Sequence, residues 1–316
     1  EGYYYLTKDV ELDGSSNIPW MPKPGTVLCL NGHKITMNGN IDVISVPSGV
    51  IFTLCDCKGE NDVYGQITHS AERFTGGGVL VKGGTFKMYG GSITKNKTSS
   101  GKCGGGVYMN GGTFYLYGGE ITDNEAAMGG GVYASGTFEM TGGSITKNKT
   151  SDGCGGGVFA LGTFTMNGSA AVRGNTANIK GGGVYTDGGG TLNMSDSAVI
   201  AGNIVEHTSA GSGGGVYAYN STIDMTGGTI GGEESDANEA PYGGGVYLDG
   251  RSEDGYSTFT MSGGAVCGNK STGKGGGVYV YDGCTFTMSD SAEVRGNKIS
   301  GSESSNTSNG HGGGVY

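Results

Sequence analysis

Proline and tryptophan are nearly absent from this chain of 316 residues, with 5 and 1 copies, whereas glycine occurs 70 times. The glycines follow no Gly-x-y period, which excludes a collagen triple helix. Valine, phenylalanine, methionine and isoleucine stand between them at regular places, which excludes a flexible glycine-serine linker. The composition therefore indicates a folded chain despite its glycine content.

Charge and long apolar runs are also scarce. Charged residues make up 15% of the chain, and 19 basic against 29 acidic side chains give a net charge of −10. This balance argues against a nucleic-acid or anionic-membrane partner. No run approaches the roughly 18 apolar residues of a membrane-spanning helix, so we expect no membrane insertion in this segment. Seven cysteines are odd in number and do not form the pattern of a dense disulfide scaffold.

The two ends of the sequence indicate a larger parent protein. The chain begins at Glu1 without a methionine or a signal peptide, and it ends inside its own repeat at Tyr316. We therefore expect a processed or trimmed piece of a longer protein, truncated at its C-terminus.

What the sequence does contain is a repeat of the element Gly-Gly-Gly-Val. Its valines are Val79, Val107, Val132, Val158, Val184, Val216, Val246, Val278 and Val315. The shortest spacing, 25 residues from Val107 to Val132, gives the basic length of one unit, and the longer spacings contain insertions.

Each unit contains three short segments with alternating apolar and polar residues, which residues 129–149 show as GGGVYAS, GTFEMTG and GSITKNK. Alternation with period two predicts a strand with one buried face. Val132, Phe138 and Ile145 fall on that face, and Tyr133 points away from it. Three strands per unit bury a face only when units stack, at about 4.8 Å per coil.

Equivalent positions form consistent columns along the stack. A first apolar column reads Phe86, Phe114, Phe138, Phe164, Leu192, Ile223, Phe259 and Phe286. A second reads Met88, Leu116, Met140, Met166, Met194, Met225, Met261 and Met288, and a third reads Ile93, Ile121, Ile145, Val172, Ile200, Ile230, Val266 and Val294. A polar column, expected to form an internal amide ladder at a turn, reads Asn96, Asn124, Asn148, Asn175, Asn203, Asn269 and Asn297. The triple glycines are expected at a corner that excludes a Cβ atom.

Residues 1–75 lack the glycine signature but keep alternating segments, such as TVLCLNGHKITM and GVIFTLCDC. We expect two or three irregular coils over 1–75, with Tyr3, Tyr4, Tyr5 and Leu6 covering the open end as a cap. The regular repeats then form one continuous solenoid over 76–316.

Two stretches carry a resemblance to known families. The runs ITKNKTSSGKCGGGVYMNGG and VRGNTANIKGGGVYTDGG resemble the repeats of polymorphic outer-membrane proteins, over about residues 76–316. The runs CLNGHKIT and TLCDCKG, within about 1–75, resemble β-helix regions of large surface proteins from gut Firmicutes. The resemblance implies a bacterial surface-displayed adhesin or stalk.

The pattern as a whole predicts an all-β fold. We expect a right-handed, single-stranded parallel β-helix of the pectate-lyase-like kind, with three short strands per coil and about 10–12 coils. The right hand is expected because parallel crossovers are overwhelmingly right-handed.

The same architecture houses enzymes that act on polysaccharides, so catalysis needs its own evidence. Glycoside hydrolysis requires two carboxylates about 5–10 Å apart. The nearest regular pair, Glu120 and Glu139, lies on different faces, with Glu139 between Tyr115 and Thr165 in its column. A Gly-His-Gly element surrounds His311, but its companion catalytic motifs are absent. We predict no catalytic residue and favour a non-enzymatic protein, with a glycoside hydrolase or lyase as the alternative.

The cysteines allow few pairings. Cys103 and Cys154 share a column but stand two coils apart, about 9.6 Å, which is too far for a disulfide. Cys267 and Cys284 fall in different columns. A Cys29–Cys55 disulfide on successive coils stays open.

A zinc site is a further alternative at the N-terminal cysteines. Cys55 and Cys57, with His33 or His69, would be its ligands. Alternation along a strand places Cys55 and Cys57 on opposite faces, which argues against it, and no metal ligand is predicted.

Two groups of residues remain as binding candidates. The outward aromatic column offers either a platform for sugar rings or a stack that only stabilises the sheet. Its tyrosines are Tyr108, Tyr133, Tyr185, Tyr217, Tyr247 and Tyr279.

The second group lies in insertions on one edge of the C-terminal half, over 204–212, 231–242 and 298–311, and at the next corner, over 249–257. Their acids are Glu233, Glu234, Asp236, Glu239, Glu253 and Asp254. These acids offer a contact surface or a Ca²⁺ site, or are plain solvated loops, and no other cofactor is predicted. Together with the resemblance, these candidates predict an extracellular bacterial protein, secreted or at the cell surface, that serves as a β-helical adhesin or stalk module and binds glycans or host surface proteins.

Overall fold

A computed structural model describes the chain over residues 2–57, 64–70, 75–251, 253, 255–300 and 312–316. These residues form an all-β parallel solenoid of about 10 coils, as predicted. The described part contains one short 3₁₀ turn, Glu234–Asp236. None of its helices is long and apolar enough to cross a membrane.

The strands form four parallel sheets, and a typical coil visits sheet C, then A, then B, then D. The strands of sheet A are Gly2–Tyr5, Thr26–Cys29, Ile51–Cys55, Thr85–Met88, Thr113–Leu116, Thr137–Met140, Thr163–Met166, Thr191–Met194, Thr222–Met225, Thr258–Met261 and Thr285–Met288. Those of sheet B are Val10–Leu12, Lys34–Met37, Gln66–His69, Ser92–Thr94, Glu120–Thr122, Ser144–Thr146, Ala171–Arg173, Val199–Ala201, Thr229–Gly231, Ala265–Cys267 and Glu293–Arg295.

Sheets C and D complete each coil. The strands of sheet C are Ile44–Pro47, Val79–Lys82, Val107–Met109, Val132–Ala134, Val158–Ala160, Val184–Thr186, Val216–Tyr219, Val246–Asp249 and Val278–Val280. Those of sheet D are Glu125–Ala126, Lys149–Thr150, Thr176–Ala177, Ile204–Val205, Glu239–Tyr242, Lys270–Lys274 and Lys298–Ile299. Sheet D was not predicted, because its strands are mostly two residues long and show no alternation.

The predicted apolar columns are confirmed. Phe114 pairs in register with Phe86 on one side and Phe138 on the other, and the methionine and isoleucine columns keep the same register. All three columns are buried in one core from Phe86 to Val266; in the last coil Phe286 and Val294 are partly buried and Met288 is exposed. Burial of each such side chain stabilises the fold by roughly 1.5–3 kcal/mol before entropy is counted.

The triple glycine forms a corner for two separate reasons, as predicted. In one copy, Gly129 has φ +62°, a conformation that other residues rarely adopt. A Cβ atom on Gly130 would lie 2.5 Å from the carbonyl oxygen of Lys149. On Gly131 it would lie 2.6 Å from the carbonyl oxygen of Gly157.

The asparagine ladder is also confirmed. The Nδ2 group of Asn148 donates to Oδ1 of Asn175 at 3.0 Å and to the carbonyl oxygen of Ile121 at 2.9 Å. Asn238, which the sequence analysis missed, continues the ladder from Asn203 to Asn269. At the N-terminal end, Nδ1 of His69 lies 2.8 Å from Oδ1 of Asn96.

The N-terminal coils pair with the regular ones in the same sheets. Strand Gly2–Tyr5 is the first strand of sheet A, and its three tyrosine rings are exposed instead of covering the core. Leu6, Val10, Leu12 and Trp20 are the partly buried side chains that pack against the core at this end.

The cysteines are arranged partly as predicted. Cys29 and Cys55 are register partners, but the disulfide joins Cys29 to Cys57, with the Cα atoms 6.2 Å apart. The expectation that Cys55 and Cys57 point to opposite faces is wrong, because the strand ends at Cys55 and the chain bends at Cys57, whose Sγ atom lies beside those of Cys29 and Cys55. The free cysteines are Cys55, Cys103, Cys154, Cys267 and Cys284.

Candidate functional site

The outward tyrosines form a continuous stack on the outer face of sheet C. Successive ring centroids lie 4.5–5.3 Å apart. In chain order the rings are Tyr108, Tyr133, Phe159, Tyr185, Tyr217, Tyr247, Tyr279 and Tyr316. Stacking at this distance contributes to sheet stability whether or not the rings bind a partner.

Access to the stack varies along its length. Tyr217 is only 1% exposed, and Phe159 and Tyr185 are also buried. Tyr133 before them and Tyr247 after them are partly exposed. A ligand would therefore contact the middle of the stack through the side chains that cover it.

Lys180 and Asp249 cover Tyr217. The Nζ atom of Lys180 lies 4.3 Å from the centroid of the Tyr217 ring and donates a hydrogen bond of 2.5 Å to its hydroxyl group. That hydroxyl group in turn donates to Oδ2 of Asp249, which lies 3.9 Å from Nζ of Lys180. Burial, and then the bond to Asp249, raise the pKa of Tyr217 well above its ordinary value, so the phenol stays a donor.

A second outward column runs beside the tyrosines, two residues later in each coil. Its members in four successive coils are Asp187, Tyr219, Asp249 and Tyr281. Tyr219 pairs in register with Asp249. The positions of Asp187 and Tyr281 follow from the residues just before them, which pair in register with the neighbouring strands. The column therefore reads acid, aromatic, acid, aromatic. Because strands alternate with period two, both columns face the same side of sheet C.

The two columns enclose a groove of about 500 Å³, which we call the sheet C groove. Its lining residues are Lys180, Tyr185, Asp187, Tyr219, Tyr247, Asp249, Gly250, Arg251 and Tyr281. Arg251 and Lys180 balance the two carboxylates in charge, and the ring of Tyr281 is 47% exposed. Exposed aromatic rings beside charged hydrogen-bonding groups suit a ligand with apolar faces and hydroxyl groups at its edges.

The structure brings only some of the predicted tyrosines together at the groove. Tyr185 and Tyr247 line it, and Tyr217 lies beneath Lys180 and Asp249. The other predicted tyrosines, which are Tyr108, Tyr133 and Tyr279, are not among its lining residues.

Sequence reasoning missed the polar half of this groove. The missed residues are Lys180, Asp187, Tyr219, Asp249, Arg251 and Tyr281. The period-two alternation that placed the tyrosines outward also places the residue two positions later outward. Applying it once more would have found Asp187, Tyr219, Asp249 and Tyr281.

The acidic insertions meet basic side chains. Glu233 and Glu234 line a groove of about 460 Å³ together with Lys270, Arg295 and Lys298.

Two acids that do not line this groove also form ion pairs: Asp236 with Arg173 at 3.0 Å, and Glu239 with Lys270 at 3.3 Å. Glu253 is exposed and does not line the groove, whereas Asp254 and His311 lie outside the described residues.

The outer face of sheet A carries a smaller aromatic patch. The rings of Tyr89 and Tyr117 stack at 4.6 Å, and Tyr115 lies 5.8 Å from Tyr117. Tyr115 is in register with Glu139, as predicted, and Tyr89 is 53% exposed. This patch lacks the charged partners that surround the sheet C groove, apart from Lys87 and Glu139.

In the part of the chain that the structure describes, one group of side chains has the spacing of a metal site, namely Cys29, Cys55 and Cys57. Comparisons of this chain with models of protein families, with curated proteins and with solved structures find no match.

Proposed function

We propose that this β-solenoid is a carbohydrate-binding module of a bacterial surface protein, and that the sheet C groove is its binding site. The observation that carries the proposal is the alternation of acids and aromatic rings along the groove. Tyr219 and Tyr281 supply planes against which the apolar face of a sugar ring packs. Asp187 and Asp249 accept hydrogen bonds from hydroxyl groups, and Lys180 donates them.

The groove also suits an extended ligand. Neighbouring coils are about 4.8 Å apart, so Asp187 and Tyr281, three coils apart, span about 14 Å. A chain of sugars that runs along the solenoid axis would meet an acid and an aromatic ring in turn. We therefore expect the site to prefer oligosaccharides to single sugars.

Two observations support a location outside the cell. The repeats resemble those of polymorphic outer-membrane proteins, which implies an adhesin or stalk. The Cys29–Cys57 disulfide is typical of proteins from oxidising compartments.

Hydrolysis is the second candidate function, because Asp187 and Asp249 stand in one column two coils apart. This spacing is about 9.6 Å between Cα atoms and falls near the separation used by inverting glycosidases. Tyr219, however, stands at the position between the two acids, where an attacking water would need room. Binding is therefore the favoured function.

The decisive variant is Tyr281→Ala, with Tyr89→Ala as its matched control. Both tyrosines are largely exposed, so neither change empties the core. The wild-type protein is screened on a glycan array, and its best oligosaccharide is then titrated by calorimetry. We expect Tyr281→Ala to weaken binding by about tenfold, which corresponds to about 1.4 kcal/mol, and Tyr89→Ala to leave it unchanged.

Three outcomes would count against binding at this groove. They are an array on which the wild-type protein binds nothing, an unchanged affinity in both variants, and an equal loss of affinity in both. Release of reducing ends from the same oligosaccharide, abolished by Asp249→Asn, would replace the binding module with the hydrolase.

A further inference from the structure

Three cysteines from two neighbouring coils meet near the N-terminal end of the solenoid. The Sγ atoms of Cys29, Cys55 and Cys57 all lie within 4.8 Å of one another. Cys29 and Cys57 form the disulfide, and Cys55 is a free, partly buried thiol beside it. A structural disulfide needs two sulphur atoms, so the third requires its own explanation.

The chain holds this arrangement through Asp56. Its Oδ1 accepts a hydrogen bond of 2.8 Å from the backbone N–H of Gly32, and its Oδ2 accepts one of 2.6 Å from Gly65. These bonds fix the turn that follows the strand ending at Cys55, and they direct Cys57 back toward Cys29. The backbone of three segments, around Gly32, Asp56 and Gly65, therefore positions the three sulphur atoms.

The surroundings also supply a donor to sulphur. The backbone N–H of Cys57 donates to Sγ of Cys29 at 3.0 Å, and Sγ of Cys55 lies 3.6 Å from the carbonyl oxygen of Leu28. Donors of this kind orient thiolate ligands and stabilise their charge. In tetrahedral zinc sites, Zn–S bonds of about 2.3 Å place the sulphur atoms about 3.8 Å apart. The three sulphur atoms here already lie within 4.8 Å of one another, close to this spacing.

We propose that Cys29, Cys55 and Cys57 form a thiolate site for one thiophilic divalent cation of the zinc class when the disulfide is reduced. Soft thiolate ligands select such ions over calcium or magnesium. Among the described residues, no fourth histidine, cysteine or carboxylate joins the group.

The redox step needs a reductant, which is a small-molecule thiol. Two of its molecules reduce the Cys29–Cys57 bond, yielding two protein thiols and one small-molecule disulfide. The cation then binds the three cysteines, and each thiol releases its proton to solvent. The small-molecule disulfide is the oxidant in the reverse step: it joins Cys29 to Cys57 and is itself reduced to two small-molecule thiols. The cation is then released to solvent, because only the thiol of Cys55 remains. The site thus binds the cation under reducing conditions and does not bind it under oxidising ones.

The test uses Cd²⁺ as a spectroscopic probe for the zinc class. The full chain is reduced with a small-molecule thiol, which is then removed under anaerobic conditions. Cd²⁺ is added stepwise while the sulphur-to-cadmium charge-transfer absorbance is followed. We expect the reduced wild-type protein to bind one Cd²⁺ that excess Zn²⁺ displaces, and the oxidised protein to show no such absorbance. Cys55→Ser removes one of the three thiolates and should lower the absorbance by about a third or more, whereas Cys103→Ser, at a free cysteine elsewhere, should retain it.

A separate measurement shows whether Cys55→Ser still folds. That variant can still form the Cys29–Cys57 disulfide. The mass of the unreduced variant should therefore match the disulfide-bonded form, and its circular dichroism spectrum should match that of the wild type. Reduced wild-type protein without the absorbance would overturn the proposal. Equal absorbance in Cys55→Ser and the wild-type protein, or equal loss in both variants, would overturn it as well.

Discussion

The inner and outer faces of the same coils both carry a column of stacked aromatic rings, and the two columns differ in regularity. Inside, the pairs from Phe86 through Phe114 and Phe138 to Phe164 have centroids 4.7–4.8 Å apart and planes within 11°. Outside, the tyrosine column ranges from 4.5 to 5.3 Å, and the rings of Tyr108 and Tyr133 are tilted by 48°. The inner rings are fully buried, whereas the outer rings range from buried to partly exposed.

This difference shows which face is free to vary. Every inner residue contacts its copies above and below, so one substitution disturbs three coils. An outer ring contacts its copies too, but its remaining surroundings depend on single side chains such as Lys180 and Asp249. The inner face therefore specifies the solenoid, and the outer face allows a site on particular coils.

The largest expected effect comes from opening the inner column with Phe138→Ala. The ring is fully buried between two others, and its loss leaves a cavity. We expect the free energy of unfolding to fall by about 3–5 kcal/mol. Denaturant unfolding followed by circular dichroism measures the change. Tyr133→Ala, on the outer face of the same coil, is the matched comparison and should cost clearly less. Equal losses would remove the distinction between the faces.

The next effect concerns the inner polar ladder, through Asn148→Ala. The change removes the acceptor of the Asn124 backbone N–H and one of the two acceptors of its Nδ2 group, and the carbonyl oxygen of Ile121 loses the Nδ2 donor of Asn148. Each buried group left unsatisfied costs about 1–3 kcal/mol. Hydrogen exchange should show weakened protection of the Asn124 amide, which donates to Oδ1 of Asn148.

Asn110→Ala is the control for the ladder, because Asn110 is exposed and its backbone N–H donates to Val81 without help from the side chain. We expect its unfolding midpoint to match the wild type. If Asn148→Ala also matched the wild type, the ladder would be a by-product of stacking and not a source of stability.

The same comparison explains what the sequence could predict. Inner columns recur in every coil, so Phe138 or Asn148 could be assigned a place from its copies alone. Asn238 was not predicted, because an insertion places it eight residues after the buried Ile230. In the other coils the asparagine follows the buried residue by three positions. Its place in the ladder depends on how that insertion folds, which the repeat does not specify.

The candidate site was harder to predict for the opposite reason. Lys180 and Arg251 have no equivalents in most coils, and their position over the tyrosine stack depends on side-chain direction and loop path. The outward direction of Tyr217 was predictable, but its burial was not, because it follows from Lys180 and Asp249. The disulfide of Cys57 was likewise not predicted. The direction of the Cys57 side chain is set by the bend after the strand that ends at Cys55, and not by strand alternation.

A smaller effect is expected for Tyr217→Phe, which keeps the outer stack and removes one hydroxyl group. The bonds of that hydroxyl group with Asp249 and Lys180 are lost, at a cost of about 1–2 kcal/mol in the free energy of unfolding. Tyr133→Phe is the control, since the Tyr133 hydroxyl group bonds to no side chain in the described part of the chain. Equal costs for the two variants would contradict a stabilising role for this network.

The cost of Tyr217→Phe should also depend on pH in a defined direction. Burial and the bond to Asp249 raise the pKa of Tyr217 above the ordinary 10.0. Below that value both the folded and the unfolded chain keep the proton, and the full stabilisation is present. Above it the unfolded chain loses the proton while the folded chain keeps it, so the stability of the wild type falls as pH rises. The difference from Tyr217→Phe, measured by denaturant unfolding, should therefore narrow above pH 10.0 and stay constant below it.

The smallest effect is expected where the outer face holds only an exposed ion pair. Lys149 and Glu206 lie 3.1 Å apart in neighbouring parts of the sheet D face, and both side chains are about half exposed, at 49% and 51%. Water and salt screen such a pair, so Lys149→Ala should change the free energy of unfolding by less than about 1 kcal/mol. The change should shrink further at high salt. Lys82→Ala sets the baseline, because Lys82 is exposed and forms no ion pair with any residue that the structure describes. A loss for Lys149→Ala as large as that for Asn148→Ala would mean that outer contacts hold the coils together as strongly as inner ones.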